Sequence, residues 1–177
     1  MPTLLDEYRF CPKCGGGLAV RRIKELEPER LVCITCEFVF FQNPKLAAGT
    51  IFQQDGGLVL VRRAIEPGYG KWVFPSGFVD RGETVVDAAV RETREEASVH
   101  VEIVELIDVF SYESSPVVVV VYAAEVVAGV LQAADECLEV RSFDPAQIPW
   151  QELAFSSTRD ALRSYIRRFL CPRNPTR

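Results

Sequence analysis

The sequence predicts a mixed α/β (α+β) domain behind a small cysteine-anchored module. Three observations carry this expectation. Four cysteines fall in two close pairs near the start of the chain, at Cys11, Cys14, Cys33 and Cys36. From Lys45 onward, short apolar runs rich in β-branched residues alternate with turn signals. One segment, 84–97, instead has helical periodicity and carries three closely spaced carboxylates. The expected boundaries are 1–44 for the module and 45–177 for the domain.

Composition narrows the class. A chain of 177 residues suits one ordinary domain with an appendage, and 48% apolar residues are enough for a proper core. The five consecutive valines at 117–121 are far too short a run to span a bilayer. The opening MPTLLDEYRF has acids and lacks a basic region followed by an apolar stretch, so no export signal is read and a cytoplasmic location without a membrane is expected. A net charge of −5 argues against a general polyanion-binding surface. A phosphate-bearing substrate would then need local neutralisation, for which a bound divalent metal is the natural candidate.

The N-terminal module comes first. Two Cys-x₂-Cys pairs separated by eighteen residues are a strong metal signature. Two thiolates on one tight turn grip one face of a tetrahedral ion, and a second turn completes its shell. Gly15 follows the first pair, where a positive φ is often needed, whereas Glu37 follows the second. All four ligands are protein sulfur, so the expected zinc is structural; iron fits the same geometry. Segment 1–44 carries six acids and six bases, which leaves it without the basic surface a nucleic-acid reader needs. A structural or homodimer-forming role is expected, with no nucleic-acid partner. Cys137 and Cys171 stand alone, and disulfides are not expected without an export signal.

The domain follows in order. Segments 46–53 and 58–63 read as strands around a turn at Asp55-Gly56. Residues 66–70 form a loop, and 72–74 a short strand closed by Pro75. The helix at 84–97 is followed by strands at 101–112, 117–127 and 139–143. A C-terminal helix is expected over 157–170, with Ser157 and Asp160 as its capping box.

The helix at 84–97 carries the chemistry. Thr84 is its expected cap, with Asp87 as the reciprocal partner. At about 100° per residue, Glu92, Glu95 and Glu96 share one face beside an apolar stripe of Val86, Ala89, Val90, Thr93 and Ala97. Like charges one turn apart cost roughly 0.2–0.5 kcal/mol per pair in a solvated helix. A divalent cation reverses that sign, and Mg²⁺ or Mn²⁺ suits such oxygen ligands. A merely solvated acidic face is the competing reading, and on these three residues alone the two stand about even.

A longer pattern breaks the tie. Gly77, five residues, Glu83, seven residues, Arg91-Glu92, two residues, then Glu95-Glu96 resembles the Nudix box at every charged position. Thr93 stands where the box has an aliphatic, and Ser98 where it has a glycine. The resemblance implies a Nudix α/β/α sandwich with a mixed sheet, preceded by a zinc ribbon. It implies a pyrophosphohydrolase that directs water onto phosphorus with Mg²⁺ or Mn²⁺ held by Glu92, Glu95, Glu96 and the carbonyl at Gly77. Arg91 and Glu83 would support those ligands. The base would be a box glutamate or an acid on a later loop, with Glu136 preferred over Glu139. His100, the only histidine, is expected to be structural or superficial.

Stretches outside the box extend the resemblance to nearly the whole chain. They include Cys-Pro-Lys-Cys-Gly at 11–15, Gln42-Asn43-Pro44-Lys45, 70–75 and 153–157. They are similar to zinc-ribbon Nudix hydrolases, a branch holding the plant chloroplast FAD pyrophosphatase and ADP-ribose pyrophosphatase-like bacterial relatives. The NADH-cleaving branch carries Ser-Gln-Pro-Trp-Pro-Phe-Pro after the box, which the segment 110–116 does not match. The implied substrate is a small nucleotide, FAD first and ADP-ribose close behind, with NADH or another dinucleotide as the alternative. Phe74, Phe110 and Tyr112 are candidates for stacking on its rings, or are strand core. A non-catalytic binding module of this family would be expected to have lost its glutamates, and a nucleic-acid-binding ribbon to show a basic patch. Neither holds here.

Overall fold

The computed structural model describes residues 8–134 and 136–171. Residues 1–7, on which the export-signal reading rests, lie outside the described residues, as do Asp135 and the last six. The chain divides into two compact units, Met1–Asn43 and Pro44–Arg177.

In the first unit, strands β1 (Leu18–Arg21), β2 (Arg30–Cys33) and β3 (Val39–Phe40) form an antiparallel sheet in the order β1-β2-β3. Among the described residues its core cluster is Cys11, Leu18, Leu31 and Cys33, with Val20, Cys36, Phe38 and Phe40 packed against them. So few buried side chains give little hydrophobic stabilisation, and units of this size generally need a metal or covalent cross-link.

The second unit contains two sheets. Strand β4 (Lys45–Ile51) runs parallel to β10 (Val117–Gly129) and antiparallel to β8 (Ser76–Phe78), while β9 (Val99–Phe110) pairs antiparallel with β10. The resulting sheet, β8-β4-β10-β9, is mixed, and the run of valines sits at its centre. The other sheet is antiparallel. It holds β5 (Gln53–Gln54), β6 (Gly57–Arg63) and β11 (Cys137–Phe143), with β7 (Trp72–Val73) paired to β6. Asp55 and Gly56 turn the β5–β6 hairpin with φ values of 52° and 80°, as a tight primed turn requires. Strand β8 was not among the expected strands, since the one before it reads as closed by Pro75. Its pairing with β4 is what carries the segment Ser76-Gly77 to the helix described next.

Helix α1 (Val85–Ala97) packs on β4 and β9, and α2 (Ser156–Tyr165) packs on β9 and β10. The expected single helix over 157–170 stops at Tyr165. Residues Ile166–Leu170 widen into π-type turns, closed by Cys171 N donating to Ile166 O at 2.9 Å. The expected Ser157–Asp160 capping box is also absent. Phe155 occupies the cap position without a side-chain bond, and Asp160 instead accepts the Tyr112 hydroxyl at 2.7 Å. No helix among the described residues is long and apolar enough to cross a membrane.

Candidate active site and cysteine cluster

Helix α1 is set by its own sequence. Thr84 Oγ1 accepts from Asp87 N at 3.1 Å and donates to Asp87 Oδ2 at 2.6 Å, so the reciprocal bond goes to the hydroxyl and not to the backbone. Ala88, Ala89, Thr93 and Ala97 face inward, whereas Val86 is 40% exposed. The buried stripe is therefore rotated from the expected one, because small alanines let the helix approach β4 closely. Glu92 and Glu96 consequently lie at the inner edge of the helix, half-buried. Thr93 is accommodated in the core by satisfying its hydroxyl twice. It donates to Ala89 O at 2.7 Å, and Thr50 on β4 lies at 2.6 Å, able to donate to it. At the far end, Ser98 adopts φ 60° and ψ 23°, and its N–H bonds Arg94 O. This is the left-handed cap that a glycine takes without strain.

The carboxylates are held from two sides. On the strand side, a Cβ added at Gly77 would lie 2.2 Å from Glu92 Cδ, so Glu92 occupies space that any side chain at 77 would fill. Next to it, Ser76 N donates to Glu96 Oε2 at 2.8 Å. On the helix side, Arg91 gathers the others. Its Nε and Nη2 grip both oxygens of Glu83 at 2.7 and 3.0 Å, and Nη1 reaches Glu92 Oε1 at 2.6 Å and Glu95 Oε2 at 2.9 Å. Nη2 also donates to Phe78 O at 3.1 Å. Fork-to-fork pairing of this kind fixes direction as well as charge.

Electrostatics separates the four acids. Hydrogen bonds from Arg91, and one from Asp80 N, hold Glu83 down to about 2. Burial raises Glu92 above its ordinary value despite Arg91. Burial, with the nearby negative charges of Glu92 and Glu136, pushes Glu96 up to about 8, while the Ser76 N–H and Arg63 oppose the rise. Glu96 thus wants a proton or a cation at neutral pH.

Arg91, Glu92, Glu95 and Glu96 line one side of a cleft of about 1190 Å³. The rest of its wall comes from β8, Asp80, Tyr112, the segment 114–117, Arg63, Glu66-Pro67, Glu136 and the start of α2, with apolar surface from Ala47, Ile65, Val73, Phe74, Val119 and the segment 154–155.

In the first unit, the sulfur atoms of Cys11, Cys14, Cys33 and Cys36 all lie within 4.8 Å of one another. The Cys11–Cys36 and Cys14–Cys33 pairs are 3.8 and 3.5 Å apart. A tetrahedral ion with sulfur bonds of ~2.3 Å sets its ligands about 3.8 Å apart. The two turns are equivalent: Gly15 N donates to Cys11 O and Glu37 N to Cys33 O, with φ values of 74° and 57° at Gly15 and Glu37. Backbone N–H groups of Cys36 and Thr35 point at Cys33 Sγ and lower its pKa to about 6, which favours the ligating thiolate.

The NUDIX domain model matches residues 43–165. The chain belongs to the NUDIX family. The model of the Nudix N-terminal zinc ribbon matches residues 9–42 in addition. A solved NUDIX hydrolase from Nitrosomonas europaea is 35% identical, covers 96% of this chain and 97% of its own, and superposes with a TM-score of 0.86. An ADP-ribose pyrophosphatase of Methanocaldococcus jannaschii is 31% identical over 135 residues, covering 74% of this chain and 78% of its own length. A NAD-capped RNA hydrolase of Schizosaccharomyces pombe is 29% identical over 63% of this chain, which spans only 31% of that longer protein.

In this Nudix hydrolase the residues singled out from sequence are placed unequally. Gly77, Glu83, Arg91, Glu92, Glu95 and Glu96 come together at one end of the cleft, and Glu136 is exposed at its edge. Glu139 is drawn away by Arg62 and Arg141 on the β6–β11 ladder. Of the ring candidates, Phe74 is 1% exposed and belongs to the core cluster, which leaves no ring face free for stacking. Phe110 packs against the same core and does not line the cleft. Tyr112 does line it, tethered to Asp160. Sequence reasoning missed Phe78, Arg63, Phe155 and the hydroxyls at 156–158. The last group was hidden because 153–157 was legible only as a likeness and not as chemistry.

Proposed function

We propose that this Nudix hydrolase cleaves the diphosphate of ADP-ribose or a related ADP-linked sugar, releasing AMP. The reading rests chiefly on one observation, the convergence of Glu92, Glu95 and Glu96 in a cleft whose wall also carries the hydroxyls of Ser114, Ser115, Ser156 and Ser157. Three half-buried carboxylates, with Glu96 pushed up to about 8 chiefly by burial, form a hard-oxygen donor set that fits Mg²⁺ or Mn²⁺. The Gly77 carbonyl would complete it. When bound, the ion polarises the phosphoryl oxygens and eases ionisation of the attacking water.

The remaining work falls to the chain itself. Glu83 orients Arg91, and Arg91 fixes the oxygens of Glu92 and Glu95. Glu136, which also lines the cleft, would take the water proton. In the ribbon, four sulfurs at tetrahedral separations would hold one structural zinc.

The substrate preference departs from the first expectation. Of the rings expected to stack on a flavin, Phe74 and Phe110 are spent in the core and Tyr69, 57% exposed, is not part of the cleft, which leaves Phe78 and Phe155 as the other rings of its wall beside Tyr112. The hydroxyls of Ser114, Ser115, Ser156 and Ser157 in the same wall offer the hydrogen bonds a ribose needs. The likeness to the Methanocaldococcus enzyme supports the same choice. The test is kcat/KM for ADP-ribose, FAD and NADH under one Mg²⁺ condition. ADP-ribose should lead; FAD leading by more than about tenfold, or ~1.4 kcal/mol in transition-state binding, would overturn it.

A further inference from the structure

Helix α2 begins without a cap at the wall of the cleft. Phe155 stands in the cap position and has no acceptor to offer. The first bond of the helix is Arg159 N donating to Phe155 O at 3.3 Å, so the N–H groups of Ser156, Ser157 and Thr158 precede it. Helix starts normally satisfy these donors with a capping side chain, water or a ligand. Here all three residues line the cleft that also holds the box glutamates. The placement is not incidental. Trp72 N donates to Glu152 O and Ala154 N to Trp72 O, both at 2.9 Å, which clamps the segment before α2 along β7.

A second, independent observation points the same way. Thr158 is fully buried, lines the cleft, and its Oγ1 has no hydrogen-bond partner. Among the described residues only Arg30 Nε, in the first unit, shares that condition. A buried hydroxyl left without a partner costs stability, so its retention calls for a ligand that satisfies it.

The charge around it says what kind. The cleft is lined by Glu66, Asp80, Glu92, Glu95, Glu96 and Glu136 against two cations: the Arg91 guanidinium is already committed to three carboxylates, and Arg63 donates to the Pro67 carbonyl and lies over the Phe155 ring, beside the start of α2. A diphosphate entering this cleft needs a second electropositive element besides the metal end. Free N–H groups at a helix start, aligned with the helix dipole, supply one next to Arg63.

We infer that the start of α2, through the N–H groups of residues 156–158 and the Thr158 hydroxyl, is a phosphate subsite that holds oxygens of the bound nucleotide's phosphate. It rests on the reading of the cleft as a nucleotide site. The subsite binds the ground state and the transition state alike, so its loss raises KM and leaves kcat.

Thr158→Val and Thr158→Ser test this, with AMP and adenosine as inhibitors and ADP-ribose as substrate. In Thr158→Val, the inhibition constant for AMP and the KM for ADP-ribose should rise about tenfold, as expected for one lost hydrogen bond to a charged group. Inhibition by adenosine, which lacks the phosphate, should not change, and Thr158→Ser should restore AMP binding. Without ligand, Thr158→Val should unfold at the same or a higher temperature, because an unpartnered buried hydroxyl has been removed. Unchanged AMP inhibition in Thr158→Val, or an equal loss for adenosine, would overturn the subsite. If ADP-ribose were not cleaved by the native protein while AMP binding (followed by calorimetry) still depended on Thr158, the substrate reading would fall and the subsite would stand.

Discussion

Gly77 and Glu92 share one space: the carboxylate of Glu92 lies where a Cβ at 77 would be, 2.2 Å from its Cδ. Gly77 is thus required by proximity and not by an unusual backbone angle. Gly77→Ala should displace Glu92 from the Arg91 fork and the β8 backbone while the sheet still forms. A displacement of about 1 Å in such a site costs on the order of a hundredfold in rate. Steady-state kcat, with circular dichroism to confirm folding, is the measurement; a folded variant with native kcat would show that Glu92 does not need its position.

The raised pKa of Glu96 makes a prediction about pH. Its folded value of about 8 lies above the unfolded 4.5, so between these values the metal-free folded state binds the extra proton. Stability of the metal-free protein should therefore fall as pH rises from about 4.5 through about 8, since stability rises with pH only where the unfolded state holds more protons. Mg²⁺ should reverse the trend in the upper part of that window, where the carboxylate is free to bind it. Urea midpoints across this range would show it, and Glu96→Gln should flatten the metal-free curve. An equal slope in native and Glu96→Gln protein would refute the assignment.

The ribbon should hold about one zinc, or iron, per chain, given four sulfurs at tetrahedral separations. Cys33→Ser should lose that metal and loosen the first unit, whose apolar core is too small to hold it together unaided. Elemental analysis of freshly purified, reduced protein checks this, and finding no metal would end the metal reading.

Much of this architecture was legible because the relevant signals are local. Cysteine spacing, the Asp55-Gly56 turn, the valine-rich strand and the spacing of the box each depend on residues close in sequence. The errors came where distant parts meet. Asp160 reads as the partner of Ser157, but Tyr112 on another segment claims it. Val86 fits a helical stripe, yet close packing of Ala88 and Ala89 on β4 turns it outward. Phe74 and Phe110 could have faced a ligand or the core, and only the packing of α2 against the sheets decides for the core. Thr93 looked like a mild departure from the box; its hydroxyl is matched by Thr50, forty-three positions away. The buried hydroxyl of Thr158 had no sequence signature at all.

Glu92 and Glu96 are proposed to support metal-dependent cleavage of a nucleoside diphosphate derivative. This is tested most directly by AMP release from ADP-ribose with Mg²⁺, comparing native protein with Glu92→Gln and Glu96→Gln. The native protein should turn over and be silenced by EDTA. Both variants should fold, be no less stable than the native protein without metal because a repulsion is relieved, and lose activity by roughly a hundredfold or more, a barrier increase of at least ~2.7 kcal/mol. Near-native Mg²⁺-dependent rates in both variants would contradict the account.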